Sequence, residues 1–349
     1  MAKRLRCWAW LFAWLLLPLL PSMPVSAADT LRVLAWPGYA DKDLVEAFEN
    51  RFKVKVEVSF VGSDDELWDR AHIKEGGAFD VIAANTAELQ RYIDGGLLHP
   101  LRLANIPNMR NQAPRFRDLG SIPGTSRKGE RYAIPYTYSA MGLIYNRKLV
   151  AKAPTSLNAL WDPQYRGKVL AYNGSSHNFS LAALSLGFPD PFRLSQKEFS
   201  RAVARLQGLR DNVQLFYSQP EEVVAAFRSN EVALIYANYG DQQVQMLRKA
   251  GADIGYVIPR EGALAWLDCW AVLRGGRDRA LAEAWINYML SPAVSGQLPV
   301  RQGLASTLVG AAEQGARRDD KLIWLEPVED YPRRALYWER LMAGYAKAR

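Results

Sequence analysis

The residues best suited to chemistry stand together in Pro259-Arg260-Glu261-Gly262-Ala263-Leu264-Ala265-Trp266-Leu267-Asp268-Cys269-Trp270. A Pro/Gly turn leads into an apolar run of strand character, yet that run carries a carboxylate between two indoles. Period-two alternation sets Leu264, Trp266, Asp268 and Trp270 on one face, with Leu267 and Cys269 opposite. A carboxylate framed by aromatic rings suits a cation: the charge pairs with an ammonium group while the rings shield its methylenes and attract it through their quadrupoles. The same residues also suit a plainer role, with both indoles packed in a core and Asp268 capping a turn. Locally, both readings are open.

The elements that would position this stretch alternate. Residues 30–36 predict a first strand ending at Trp36-Pro37-Gly38-Tyr39, and Asp41 suits the cap of a helix whose apolar face runs through Leu44, Val45 and Phe48. A second strand over 54–61, a helix holding Leu67, Trp68 and Ala71, and a third strand over 79–84 follow. Short strands alternating with amphipathic helices form the βαβ pattern of a largely parallel sheet, whose ligands sit beyond the carboxyl ends of the strands. Trp36, Tyr39, Asn85 and Thr86 fall at such ends. Trp36 and Tyr39 equally suit a turn packed by aromatics, and Asn85 and Thr86 a helix cap.

From 107 to 129 the chain is rich in Pro, Gly, Arg and Asn, as in a long surface excursion, and 131–146 then reads as an extended crossing between two lobes. A strand over 169–172 ends at Asn173-Gly174-Ser175-Ser176-His177-Asn178. His177 could meet a solute, a metal or a proton-transfer partner, but it has no Cys, Asp or second His at metal-ligand spacing, and a loop or helix-start role is the simpler one. Further on, a strand over 213–216 leads to Tyr217-Ser218-Gln219-Pro220, and one over 232–236 leads to Ala237-Asn238-Tyr239-Gly240-Asp241. Asp241 either caps the helix predicted over 242–250 or faces a cleft. Residues 303–307 read as a loop near that cleft, and 336–348 as a helix folding back over the second lobe.

Composition narrows the function classes. The chain of 349 residues is 49% hydrophobic, enough for one large or two ordinary domains. Its formal charge is +8, of which Lys3, Arg4 and Arg6 supply three, leaving +5; with no concentrated basic helix, nucleic-acid binding is not expected. Residues 1–27 have the pattern of a secretory signal peptide: those three cations, an apolar run over 8–20, and Val25-Ser26-Ala27 as a cleavage site. Pro18, Pro21 and Pro24 break the span before it reaches membrane length. Without Cys7, Cys269 has no partner, so no internal disulfide is expected. There is no Gly-x-Ser-x-Gly elbow and no Gly-rich phosphate turn after a strand, which argues against a hydrolase or a phosphate-binding enzyme.

The chain resembles the spermidine/putrescine-binding protein family, periplasmic solute receptors that serve ATP-driven importers. The resemblance spans nearly all of 31–348. It rests on Trp36 with Tyr39, Gly77-Ala78-Phe79-Asp80-Val81, Ile134-Pro135-Tyr136, Trp161-Asp162-Pro163-Gln164-Tyr165-Arg166-Gly167-Lys168, and Ile258-Pro259-Arg260-Glu261-Gly262-Ala263 followed by Trp266 and Asp268, in that order. It implies an α/β, two-lobed solute-binding protein with a discontinuous domain arrangement and an interlobe ligand cleft. After the signal peptide, one lobe would hold 28–135 and 259–306, the other 136–258 and 307–349.

In the family, aromatics clamp the aliphatic part of a polyamine and acids bind its ammonium groups. Trp36, Tyr39, Trp266 and Asp268 fall on such positions, Ser218 matches a binding-loop serine, and Asp241 matches an acid of putrescine-preferring members. Asn173, Ser176 and His177 stand where acids are usual, Ala87 replaces an aromatic near Thr86, and Tyr239 stands beside a missing indole. A long polyamine needs an acid at each end, since a buried unpaired ammonium is costly. The resemblance therefore implies a receptor for a small cationic amine, putrescine or a related diamine, handed to an inner-membrane ABC permease. It would be soluble in the periplasm and monomeric, with no cofactor, metal or catalysis. Other polar solutes, such as an amino acid or an iron(III) complex, and a sensory role are the alternatives.

Overall fold

The computed structural model describes residues 30–229, 231–310 and 321–347; the expected signal peptide over 1–27 lies outside them. The chain forms two α/β lobes, each built on its own sheet. In the first sheet, β1 (Thr30–Ala35), β2 (Lys55–Phe60) and β3 (Val81–Asn85) run parallel in the order β2-β1-β3. The helices Lys42–Phe52 and Asp64–His72 supply their crossovers. A small hairpin, β4 (Ser126–Arg127) and β5 (Glu130–Arg131), precedes β6 (Ala133–Ala140).

The second sheet contains β7 (Leu143–Asn146), β8 (Val169–Tyr172), β9 (Val213–Tyr217), β10 (Leu234–Tyr236) and β11 (Ile254–Val257), ordered β11-β7-β10-β8-β9. The chain then returns to the first lobe through β12 (Ala263–Val272), which lies antiparallel between β3 and β6. Two short strands complete that sheet: β13 (Ala305–Ser306) beside β6 and β14 (Leu322–Trp324) beside β12.

β12 is the organising element. All ten of its residues are buried, as suits a strand flanked on both edges and covered on both faces. Its ladder to β6 slips between Asp268 and Cys269: Asp268 pairs with Thr137 and Cys269 with Pro135, so Tyr136 is passed over. A bulge beside a proline, which lacks an N–H to donate, re-aims side chains at this point of the strand.

The first lobe is pinned at the end of β3 remote from Asn85. The Asp80 carboxylate accepts from Arg32 N at 2.7 Å, Arg32 Nε at 3.0 Å, Arg32 Nη2 at 2.7 Å and Arg277 N at 2.7 Å. This accounts physically for Asp80 in the Gly77–Val81 phrase.

The lobe boundaries differ from those expected. The boundary at 135 falls inside β6, which stays in the first sheet through Ala140; the crossing occurs at Met141-Gly142, where a Cβ on Gly142 would lie 2.6 Å from the Val257 carbonyl. Pro135 interrupts the hydrogen bonding of the strand without ending it. Beyond 307 the chain also divides. β14 joins the first sheet, whereas the helix Tyr331–Lys347 packs on the helices Ser175–Ser185 and Gln196–Asn212 of the second lobe. Arg334 anchors that helix, fully buried and bonded to Ser176 O, Ser180 Oγ, Phe192 O and Glu329 Oε2.

Among the described residues no helix is long and apolar enough to cross a membrane. Cys269 is a free, buried thiol.

Candidate ligand-binding site

A pocket of about 340 Å³ lies between the two sheets. Trp36, Tyr39, Asp64, Asn85, Trp266 and Asp268 come from the first lobe; His177, Asn238, Tyr239 and Gln242 come from the second. Each sits where a strand gives way to a turn or helix, except Trp266 and Asp268, which alternate along the bulged half of β12.

The aromatic walls are fixed by their polar atoms. Trp36 Nε1 donates to Ala83 O at 3.1 Å, Trp266 Nε1 to Asn238 O at 2.8 Å, and the Tyr239 hydroxyl to Ser218 O at 2.6 Å. The indole of Trp266 thus ties β12 to the loop after β10. The Tyr39 hydroxyl donates to Asp268 Oδ2 at 2.6 Å, and the Tyr39 ring leans edge-on against Trp270, whose indole lies in the core behind it.

Asp268 is 5% exposed, and burial pushes its carboxyl up to about 7. The Tyr39 hydrogen bond opposes that rise, nearby Asp64 adds to it, and His177 eases it. Burial likewise raises the Tyr39 phenol, with Asp268 adding to the effect.

Asp64 opens the helix Asp64–His72, whose cap Ser63 accepts from Glu66 N. Its Oδ1 accepts from Asn85 Nδ2 at 3.0 Å and its Oδ2 faces His177 Nε2 at 3.0 Å; His177 Nδ1 lies 3.0 Å from Asn238 Oδ1. Burial disfavours the charged imidazole, but Asp64 outweighs it and the ring is held above its ordinary value. Gln242 Nε2 donates to Pro37 O at 3.1 Å, while the buried Oε1 of the same amide has no partner. Among the described residues no Lys or Arg lines the pocket.

Of the residues expected at the site, Trp36, Tyr39, His177, Tyr239, Trp266 and Asp268 line this pocket, and five others do not. Thr86 faces a separate, larger cavity of about 830 Å³ on the Leu267 side of β12, with Arg115, Phe116 and Trp324. Asn173 is turned toward the carboxyl-terminal helix, accepting from Trp338 Nε1 at 2.9 Å and donating to Ser218 Oγ at 3.3 Å, which holds Ser218 there too. Ser176 lies behind His177 in a small cavity with Glu88 and Tyr331. Asp241 opens the helix Asp241–Lys249, where its N–H donates to Ser139 Oγ at 3.2 Å.

Three pocket residues, Asp64, Asn238 and Gln242, carry no site role in the sequence reading, and a fourth, Asn85, stands there as a strand-end residue or a cap. Asp64 hid in Gly62-Ser63-Asp64-Asp65, which reads as a helix start, although it follows a strand just as Trp36 does. Asn85 reads as a strand-end residue or a helix cap, and it is both, accepting from Ala87 N and Glu88 N through Oδ1 while Nδ2 serves Asp64. Asn238 follows β10 and Gln242 lies in the first turn of the next helix. The strand-end rule reaches Asp64, Asn85 and Asn238; nothing local marks Gln242. Among the described residues no group of three or more His, Cys, Asp and Glu side chains is placed to hold a metal ion.

Comparison with known proteins agrees with this architecture. The spermidine/putrescine-binding periplasmic protein 1 of Haemophilus influenzae is 26% identical over 288 residues, covering 82% of this chain and 77% of that protein. The Escherichia coli K12 spermidine/putrescine-binding periplasmic protein is 27% identical over 275 residues, covering 77% and 75%. A solved structure of a Listeria monocytogenes chain assigned to a spermidine/putrescine ABC transporter is 22% identical, with a TM-score of 0.80, and the match covers 92% of this chain and 100% of that one. The relatives are periplasmic, and this chain is a periplasmic protein with them. Residues 43–313 match the bacterial extracellular solute-binding proteins, and the chain belongs to that family.

Proposed function

We propose that the protein is a receptor for a small cationic amine, a short diamine or a related compound, which it carries to an inner-membrane ABC importer. The observation that carries this is the charge of the pocket: two buried carboxylates, Asp64 and Asp268, and no Lys or Arg among its walls. An amino acid would bring a carboxylate of its own and need a free cation to meet it; the one cationic side chain among the described lining residues, His177, is already taken up by Asp64, which argues for an amine. Asp268 is the anchor. An ammonium group beside it replaces the lost hydration, while Trp36, Tyr39, Tyr239 and Trp266 cover the methylenes.

The relatives' names, spermidine/putrescine-binding in both cases, support the same class of ligand. Both lobes contribute walls, so binding favours the closed form over the open one, and the closed form is what a permease recognises. No bond is made or broken in this role.

The test is calorimetric titration of ligand-stripped protein with putrescine, cadaverine, agmatine, spermidine, a quaternary amine and a panel of amino acids. Saturable binding of a short cation supports the reading. Binding of an amino acid or an anion, with every amine inert, overturns it.

A further inference from the structure

The two pocket carboxylates are not equivalent. Asp268 takes one hydrogen bond, from a neutral phenol, and its Oδ1 accepts none from the described residues. Asp64 has both oxygens engaged, Oδ1 by Asn85 and Oδ2 by His177. That imidazole reaches across the cleft, since Asp64 belongs to the first lobe and His177 to the second.

Both ring nitrogens of His177 face acceptor oxygens, Asp64 Oδ2 on one side and Asn238 Oδ1 on the other. With the Asn238 amide oxygen turned to it, a ring that donates from both nitrogens is the imidazolium. Burial opposes that form, and Asp64 on the helix Asp64–His72, the Asn238 oxygen and, where ionised, Glu88 on the helix Thr86–Asp94, whose own carboxyl burial pushes up to about 8, favour it. Tyr172 is stacked at 5.9 Å, and Glu326 and Tyr331 stand beside the cavity behind the ring. Arg91, the nearby guanidinium, is taken up by Glu88 and by the rings of Trp68 and Tyr331.

We propose that His177 is the resident cation of the pocket and sets its selectivity: by closing Asp64 from across the cleft it fills the place a second ammonium would need, so the site selects a short monocationic amine whose far end is neutral and hydrogen-bonding. The buried, unpartnered Oε1 of Gln242 is an acceptor for such a far end. The inference rests on the amine reading above and narrows it. A diamine can enter only by displacing the His177 proton or by leaving its second ammonium unpaired, and either costs affinity.

The test compares two probes of equal length, putrescine and 4-aminobutan-1-ol, by titration calorimetry at pH 6 and pH 8. The wild-type protein is expected to prefer the amino alcohol at pH 6 by about tenfold or more. That preference should shrink as pH rises and His177, held above its ordinary value by Asp64, gives up its proton. Titration of Asp268 affects both probes alike and cancels from the ratio. His177→Gln, which keeps a hydrogen-bonding side chain and removes the charge, should move the ratio toward putrescine by about tenfold or more. If that variant fails to fold, the wild-type pH comparison decides alone. A wild-type preference for putrescine at both pH values, or a ratio unmoved by pH and by the variant, overturns the role of His177 while leaving the amine reading intact. Failure of both probes to bind the wild-type protein overturns the amine reading, and this inference with it.

Discussion

Asp268 on β12 stands directly opposite Asn85 on β3 in the antiparallel ladder, and the Asn85 amide reaches on to Asp64 Oδ1 at 3.0 Å. One sheet register therefore sets the spacing of both pocket carboxylates. Both acids sit on the first lobe. Closure brings up the groups that answer them, His177, Asn238, Tyr239 and Gln242, from the second.

Replacing Asp268 with Asn should lower affinity for a cationic amine by about 30-fold or more, equivalent to about 2 kcal/mol. The fold should survive, because an amide can still accept from the Tyr39 hydroxyl. Calorimetry gives the first quantity and thermal unfolding the second. Unchanged affinity would remove Asp268 from the site.

The raised carboxyl of Asp268 also sets a pH dependence. In the unfolded chain this group ionises near the ordinary Asp value; in the folded protein it does so at about 7. Between those values the native state binds more protons, so the contribution of Asp268 to stability is full at acid pH and is lost as pH rises toward 7. Ligand affinity runs the other way, because a cation needs the ionised form. Affinity for a quaternary amine, whose own charge is constant, should fall by up to about tenfold per pH unit below 7. A flat profile from pH 5 to 8 would contradict this.

Trp36 and Trp266 line the pocket, so ligand binding should change the intrinsic tryptophan emission. Trp266→Phe should reduce that change. It should also weaken binding by about three- to tenfold, since the closed form loses the hydrogen bond to Asn238 O. A fluorescence titration of both proteins measures the two effects together.

Asp80 is 1% exposed and holds Arg32 and the backbone of Arg277 at the end of β3 away from the pocket. Asp80→Ala should cost about 3–5 kcal/mol of stability by stranding the Arg32 guanidinium, with the affinity of the folded fraction unchanged. Denaturant unfolding and calorimetry separate these two outcomes. A loss of affinity without a loss of stability would contradict a purely structural role.

Much of the fold was legible because it is written in local periodicity. The strands at 30, 54, 169 and 213 and their partner helices follow from alternation and capping residues, and they fall within a few positions of the structure. The pocket was legible where aromatic residues ended a strand, at Trp36, Tyr39 and Tyr239, or shared a face of β12 with an acid. It was hidden where it depends on pairs distant in sequence. Asp64 and His177 lie far apart in the chain, and only closure of the lobes makes either informative. Asn173 and Ser218 went the opposite way: their strand-end positions are those of binding residues, but Trp338 from the carboxyl-terminal helix draws them off.

The cross-cleft hydrogen bonds bear on time as well as affinity. Trp266 Nε1 to Asn238 O, Tyr172 hydroxyl to Gly62 O, Ser175 Oγ to Asp65 and Gln242 Nε2 to Pro37 O all join one lobe directly to the other. Each must break before a captured molecule can leave, so they add to the barrier for escape while contributing nothing to the choice of solute. The expected consequence is a long residence time, set by the rate at which the lobes part. In the proposed transport role, unloading then needs something that stabilises the parted lobes.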